Sequence, residues 1–132
     1  MKRSVVIIAV IAAVLTLALP AGAKKKGAQI SFRETTYNFG TVPEKKGKVS
    51  HEFTFTNTGD KPLVIVDATA ECGCTMPEYP QAPIAPGKTG VVKVTYNPLG
   101  RPGSFTKKVT VKTNAKPRKC YIYIKGVVNP NK

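Results

Sequence analysis

The chain has 132 residues, with 21 lysines and arginines against 7 aspartates and glutamates, giving a formal net charge of +14. This length suits one domain, and this charge favours an acidic partner such as nucleic acid, an anionic headgroup or an acidic polysaccharide. No nucleic-acid-binding motif is present, and a single histidine with no G-x-S-x-G or paired carboxylates excludes the common catalytic arrangements. We therefore expect neither an enzyme nor a nucleic-acid-binding protein.

The N-terminus has the pattern of an export signal. Lys2 and Arg3 precede an apolar run at Val5–Leu19, and Ala21–Ala23 supplies the small residues of a cleavage site. The alternative is an uncleaved anchor, but the run is shorter than the ~20 residues that span a bilayer. We predict a signal peptide over residues 1–23 and a periplasmic or secreted protein without a membrane span in the mature chain. Cleavage lowers the formal charge from +14 to +12.

After a basic linker, residues 24–28, the chain alternates between apolar and polar residues with turn residues between the runs. This period-two pattern is typical of half-buried strands, and no segment after the signal has helical periodicity. We predict a broken first strand, which comprises Gln29–Phe32 and Tyr37–Val42 with an interruption between them. Further strands are predicted at Val49–Asn57, Leu63–Ala70, Val91–Asn97, Phe105–Thr113 and Cys120–Val128. The result is an all-β, antiparallel immunoglobulin-like β-sandwich of about seven strands over residues 29–128, with a C-terminal tail at 129–132.

Two segments depart from simple alternation. Leu63–Ala70 is almost continuously apolar, which predicts a central strand covered on both faces. Four prolines follow within Met76–Gly87, and because proline has no N–H to donate, we expect no helix and no central strand there.

Five motifs in order resemble a known family. They are Tyr37–Val42, Phe53–Gly59, Cys72–Thr75, Ile84–Lys88 and Tyr96–Pro98. In this order they resemble the exported bacterial family called domain of unknown function 1573, over essentially all of residues 29–128. That family is similar to major-sperm-protein-like and cilium-associated domains, seven-stranded sandwiches used mostly as binding modules. The resemblance implies the fold and export, and no established activity.

The chemistry-bearing stretch is Cys72-Gly73-Cys74, which holds two of the three cysteines. Disulfides are expected in an exported protein, so Cys72, Cys74 and Cys120 are disulfide candidates, with three possible pairings. Cys120 is in phase with core-facing isoleucines, and a bridge from it to the loop would stabilise the fold by roughly 4 kcal/mol. A Cys72–Cys74 bridge would close a very small ring, which favours exchange over structure.

The loop therefore has three interpretations. The cysteines are structural; or Cys72, Cys74 and Met76 bind a soft metal such as Cu(I); or the two cysteines form a redox-active dithiol. His51, in phase with Phe53 on its strand, is expected to be a partly buried strand residue and not a ligand.

The sequence favours an exported non-catalytic binding or structural module of the bacterial cell envelope, without a cofactor. Its expected partner is an envelope protein or an anionic envelope component, and not nucleic acid. The alternative is a copper-binding or thiol-exchange protein centred on Cys72-Gly73-Cys74.

Overall fold

A computed structural model describes residues 26–131, so the predicted signal peptide lies outside the described residues. The described chain forms eight strands: β1 Ile30–Phe32, β2 Thr36–Pro43, β3 Val49–Asn57, β4 Ile65–Ala70, β5 Thr75–Glu78, β6 Thr89–Tyr96, β7 Gly103–Thr113 and β8 Lys119–Asn129. A single 3-10 turn at Glu44–Lys46 is the one helical element of this part of the chain. No helix between residues 26 and 131 has the length and apolar character that crossing a membrane requires.

The strands form two four-stranded sheets that pack face to face. One sheet has the order β1-β3-β6-β5 and the other β2-β8-β7-β4. All neighbours are antiparallel except β2 and β8, which run parallel. The predicted immunoglobulin-like sandwich is therefore confirmed, with one parallel pair that the alternation pattern did not reveal.

The predicted broken first strand is two strands in different sheets. β1 pairs with β3 in one sheet, whereas β2 pairs with β8 in the other, so the chain crosses between sheets around Glu34. β2 itself contains a bulge between Asn38 and Thr41, where Gly40 adopts a φ of 73° that favours glycine. The Asn38 side chain accepts a hydrogen bond from the Gly40 N–H at 2.7 Å and so fixes the bulge.

The prediction of a central strand at Leu63–Ala70 is wrong. β4 begins at Ile65 and lies at the edge of its sheet, with β7 as its one neighbour. Val66 is 49% exposed, because it follows the inward-facing Ile65, and it is the extra residue at an irregularity between Ile65 and Asp67. The proline-containing β5 is also an edge strand, as proline requires.

The core lies between the inner faces of the sheets. Alternate residues of the central strands are fully buried, among them Phe53 and Phe55 of β3 and Ile122 and Ile124 of β8. Gly27 and Ala28, assigned to the linker from sequence, pack onto the domain: Gly27 donates its N–H to Asp60 and Ala28 is buried. These two residues therefore contact the sandwich.

Candidate functional site

The Cys72-Gly73-Cys74 loop connects the two sheets. It leaves β4 at the edge of one sheet and enters β5 at the edge of the other. The Thr75 N–H donates to the Cys72 carbonyl at 3.2 Å, and the Asn97 N–H donates to the Cys74 carbonyl at 2.9 Å. The loop backbone is therefore held by its own turn and by the segment that follows β6.

The two loop sulfurs lie at disulfide distance, with the Cα atoms 5.3 Å apart. Their surroundings differ, because the Cys74 side chain is buried at 2% exposure while Cys72 is half-buried. The Cys74 N–H donates to the Cys72 sulfur at 3.2 Å, and the Cys74 sulfur lies 3.5 Å from the Thr75 hydroxyl. An incoming reagent therefore meets Cys72 first.

Cys120 is not part of this pair. It is a free thiol on β8, level with Val111 of β7, whose carbonyl accepts a weak hydrogen bond from the Cys120 sulfur at 3.7 Å. Of the three possible pairings, those from Cys120 to the loop are absent among the described residues, because the register aligns Cys120 with the middle of β4, away from the loop. Burial raises the pKa of the Cys120 thiol, which makes it less reactive.

The other candidate ligands do not join the cysteines. Met76 is 38% exposed on β5, and because neighbouring strand residues point to opposite faces, it lies on the outer side while Thr75 is buried. His51 stacks on Tyr37 with ring centroids 3.6 Å apart, and its Nε2 lies 2.6 Å from a carboxylate oxygen of Glu34. Among residues 26–131 no three His, Cys, Asp or Glu side chains form a metal-binding group.

A cavity of about 470 Å³ opens beside the loop sulfurs. Its lining comprises Cys72, Cys74, Tyr96, Arg101, Pro102, Ser104, Phe105, Thr106 and Lys107. The Tyr96 and Phe105 rings come from different sheets and stack with centroids 4.0 Å apart, which closes this end of the sandwich. Burial raises the pKa of Tyr96, and the Arg101 guanidinium partly offsets that rise. We call this cavity the cysteine groove.

A second region of interest covers the outer face of the β2-β8-β7-β4 sheet. It consists of the outward-facing residues Lys119, Tyr121, Tyr123 and Lys125 of β8 and Lys108 and Lys112 of β7, and we call it the lysine–tyrosine face. The register places Lys108 opposite Tyr123 and Lys112 opposite Lys119. The Lys108 ammonium lies 5.2 Å from the centre of the Tyr121 ring, a cation–π distance.

The outer face of the other sheet is different in charge. There Lys93 of β6 lies between Glu52 of β3 and Glu78 of β5 in register, so its charge has acidic neighbours on both sides. In the part of the chain that the structure describes, the one ion pair is that between Glu34 and His51. Four lysines therefore share the lysine–tyrosine face; Asp67 lies opposite Lys112 in register, but none of the four forms an ion pair among the described residues.

Sequence reasoning identified neither the lysine–tyrosine face nor the cationic lining of the cysteine groove. The residues of β8 alternate as Lys, Tyr, Tyr and Lys from 119 to 125, a signal that was readable because period two puts them on one face. Arg101 and Lys107 had no comparable signal, since the fold brings them to the cysteines from a distant part of the chain.

Comparison with known proteins places this fold among immunoglobulin-like domains. The family model described as "Protein of unknown function (DUF1573)" matches residues 30–128. No curated protein matches the sequence.

Three solved structures illustrate the similarity. A Porphyromonas gingivalis W83 protein of unknown function has a TM-score of 0.66 at 14% identity, over 82% of this chain and 49% of that one. The ASH/PapD-like domain 7 of human CEP192 has a TM-score of 0.58 at 11% identity, over 94% of this chain and 99% of that one. The CupB2 chaperone of Pseudomonas aeruginosa has a TM-score of 0.50 at 14% identity, over 77% and 56%. The chain thus spans about half of the first protein, and the likeness concerns the fold alone.

Proposed function

This chain belongs to the DUF1573 family, and we propose that it is an exported, non-catalytic binding module of the bacterial cell envelope. The observation that carries the proposal is the lysine–tyrosine face, which joins four lysines with two tyrosine rings on one open sheet surface. Immunoglobulin-like sandwiches offer such faces and edges to partners, and one solved structure to which this chain is similar is that of a chaperone. The export signal predicted from sequence supports the location.

The charge arrangement points to an anionic ligand. Lys112 and Lys119 lie directly opposite each other across β7 and β8, and like charges in that position destabilise a sheet. The nearby carboxylate of Asp67 does not pair with Lys112 in the described structure; it accepts a hydrogen bond from the Ala68 N–H at 2.9 Å. A bound anion would relieve this repulsion.

Among anionic ligands we favour a carboxylated polysaccharide. Tyr121 and Tyr123 are two positions apart on one strand, about 7 Å along it, and each offers an apolar ring with a polar hydroxyl. Sugar rings can stack on such side chains while the lysines bind the carboxylates. A lipid surface would require an apolar patch to insert, whereas the apolar side chains on this face stand among lysines.

The test is binding of the purified protein to polygalacturonate, measured by calorimetry at two salt concentrations. Replacing the four lysines of the face, Lys108, Lys112, Lys119 and Lys125, with glutamine should weaken binding at least tenfold. The matched control replaces four exposed lysines elsewhere, Lys45, Lys46, Lys48 and Lys61, with the same change in net charge and should lower affinity far less.

Three results would contradict this proposal. Equal losses in the two variants would mean that the binding is a nonspecific effect of net charge. Undiminished binding of polygalacturonate by the four-glutamine face variant would remove the role of the lysines. Binding to phosphatidylglycerol vesicles without binding to the polymer would replace the glycan with a lipid surface.

A second candidate function, thiol exchange at Cys72 and Cys74, is favoured by the half-buried Cys72, which lines the same cavity as two cationic side chains. The other version of this candidate is copper binding by the reduced pair. Its ligands would be the two thiolates alone, because Met76 lies on the outer side of β5. A Cu(I) titration against a competing chelator, with Cys72→Ser/Cys74→Ser as control, separates the two: exchange without copper retention supports the dithiol.

A further inference from the structure

The cysteine groove has one sign of charge. Arg101 and Lys107 line it, and none of its described lining residues is acidic. Glu71, which directly precedes Cys72, has a carboxylate oxygen engaged by the Lys108 N–H at 3.0 Å. A molecule in the groove therefore shares it with two cationic side chains, which raise the local concentration of anions.

We infer that the groove exchanges its disulfide with a small thiol that carries a carboxylate. The inference deepens thiol exchange, the second candidate function above, by naming its substrate class. The volume of about 470 Å³ suits a small molecule, with its carboxylate at Arg101 or Lys107 and its sulfur at Cys72. The stacked rings of Tyr96 and Phe105 form an apolar wall beside the sulfurs.

The exchange proceeds in two displacements. The thiolate of the small thiol attacks the Cys72 sulfur and forms a mixed disulfide, while the bond to Cys74 breaks and Cys74 leaves as a thiolate that takes up a proton. The Thr75 hydroxyl, 3.5 Å from the Cys74 sulfur, is placed to donate to that thiolate.

A second thiolate then attacks the sulfur of the bound small molecule. The products are the symmetric disulfide of the small thiol and the Cys72 thiolate. In the structure the Cys74 N–H lies 3.2 Å from the Cys72 sulfur, so it is placed to donate to that thiolate. Two thiols are thus oxidised and one protein disulfide is reduced. The reverse sequence reduces the small disulfide and oxidises the protein.

The experiment compares three thiols of similar size: mercaptopropionate, which is anionic, mercaptoethanol, which is neutral, and cysteamine, which is cationic. Reduction of the purified protein in the Cys120→Ala background is followed by mass. Each per-thiolate rate is divided by the rate of the same thiol with a small uncharged disulfide, so that differences in ionisation and in intrinsic nucleophilicity cancel. We expect the anionic thiol to react about tenfold faster than the cationic one, with the difference falling as salt is added.

Two groove variants, Arg101→Gln and Lys107→Gln, should slow mercaptopropionate more than mercaptoethanol, and mercaptoethanol more than cysteamine, and so reduce this preference. Lys93→Gln, on the opposite sheet, is the matched control and should retain the preference. The site of attack is read with Cys74→Ser, in which dithiodipropionate should form a mixed disulfide at Cys72. Circular dichroism checks that each variant is folded, and the salt dependence of the unsubstituted groove provides evidence that needs no groove variant.

The outcomes distinguish the two levels of the inference. Equal rates for all three thiols, relative to the uncharged reference disulfide, would overturn the substrate class and leave thiol exchange standing. If none of the three thiols reduced the folded protein, thiol exchange itself would be refuted. A preference that survives both groove substitutions would remove Arg101 and Lys107 as its cause.

Discussion

Asn57 at the end of β3 is the polar side chain on which the fold depends most. It is fully buried, and its amide makes four hydrogen bonds. Its Oδ1 accepts the N–H groups of Gln29 at 3.3 Å and Gly59 at 2.9 Å. Its Nδ2 donates to the carbonyls of Lys61 at 2.7 Å and Ile84 at 2.9 Å. One side chain therefore connects the turn after β3 to two distant segments, at Gln29 and at Ile84, at one end of the sandwich.

Replacing Asn57 with alanine should lower the free energy of unfolding by about 3–4 kcal/mol. Each hydrogen bond contributes about 1 kcal/mol, and backbone groups left buried without partners add to the loss. Asn114 offers a graded comparison: it is exposed and makes two such bonds, to the Val64 N–H and the Pro62 carbonyl, so its replacement should cost about 1 kcal/mol. Asn129 bonds only its own turn, and its loss should cost less than about 0.5 kcal/mol.

The assay is urea unfolding followed by far-UV circular dichroism, because the chain has no tryptophan for fluorescence. The midpoints should fall in the order Asn129→Ala, Asn114→Ala, Asn57→Ala, without a change in the slope. A loss at Asn57 no larger than at Asn114 would refute the reasoning, because buried and exposed hydrogen bonds would then be equivalent. A change in the dependence of the unfolding free energy on urea concentration would show that the variant alters the compactness of the native or the unfolded state. The three variants would then be compared by thermal unfolding.

Three further predictions concern packing, protonation and the loop. Gly90→Ala should cost about 1–3 kcal/mol in urea unfolding, since its Cβ would lie 2.5 Å from the ring of the fully buried Phe55. Because burial raises the Cys120 pKa above its ordinary value of 9.0, the unfolded chain loses that proton first, so stability should fall as pH rises above 9.0, a loss that Cys120→Val removes. Substituting both Cys72 and Cys74 with serine should cost only about 1.5 kcal/mol, because their bridge closes a very short loop; a loss of about 4 kcal/mol in the same unfolding assay would indicate a structural bridge.

The sequence was informative where burial alternates along one strand. The period-two pattern of Val49–Asn57 correctly identified the face that carries Phe53 and Phe55. It could not assign strands to sheets, because alternation records which side is buried and not which backbone lies alongside. Hence β1 and β2, continuous in the pattern, belong to different sheets, and the apolar run ending at Ala70 is an edge strand.

The candidate site shows the same limit. Cys72 and Cys74 were recognisable because they are two residues apart, whereas the cations of the groove come from residues 101–107, on and before a strand that pairs with β4. The pairing of β8 with β7 also places Cys120 away from the loop. The phase of Cys120 with Ile122 predicts that its side chain faces the core. Local patterns thus predicted the direction of side chains, and the register between distant strands determined which of them meet.

Lys107 and Lys108 allow the two proposed activities to be separated within one strand. Lys107 lines the cysteine groove, whereas Lys108 lies over the Tyr121 ring on the outer face, since neighbouring strand residues point to opposite sides. Lys107→Gln should therefore weaken the preference for anionic thiols without altering polygalacturonate binding, and Lys108→Gln should do the reverse. The two substitutions remove the same charge from adjacent positions. A difference between the two variants in thiol preference and polymer binding therefore cannot come from net charge. If each variant impaired both activities equally, the groove and the lysine–tyrosine face would have to be treated as one electrostatic surface.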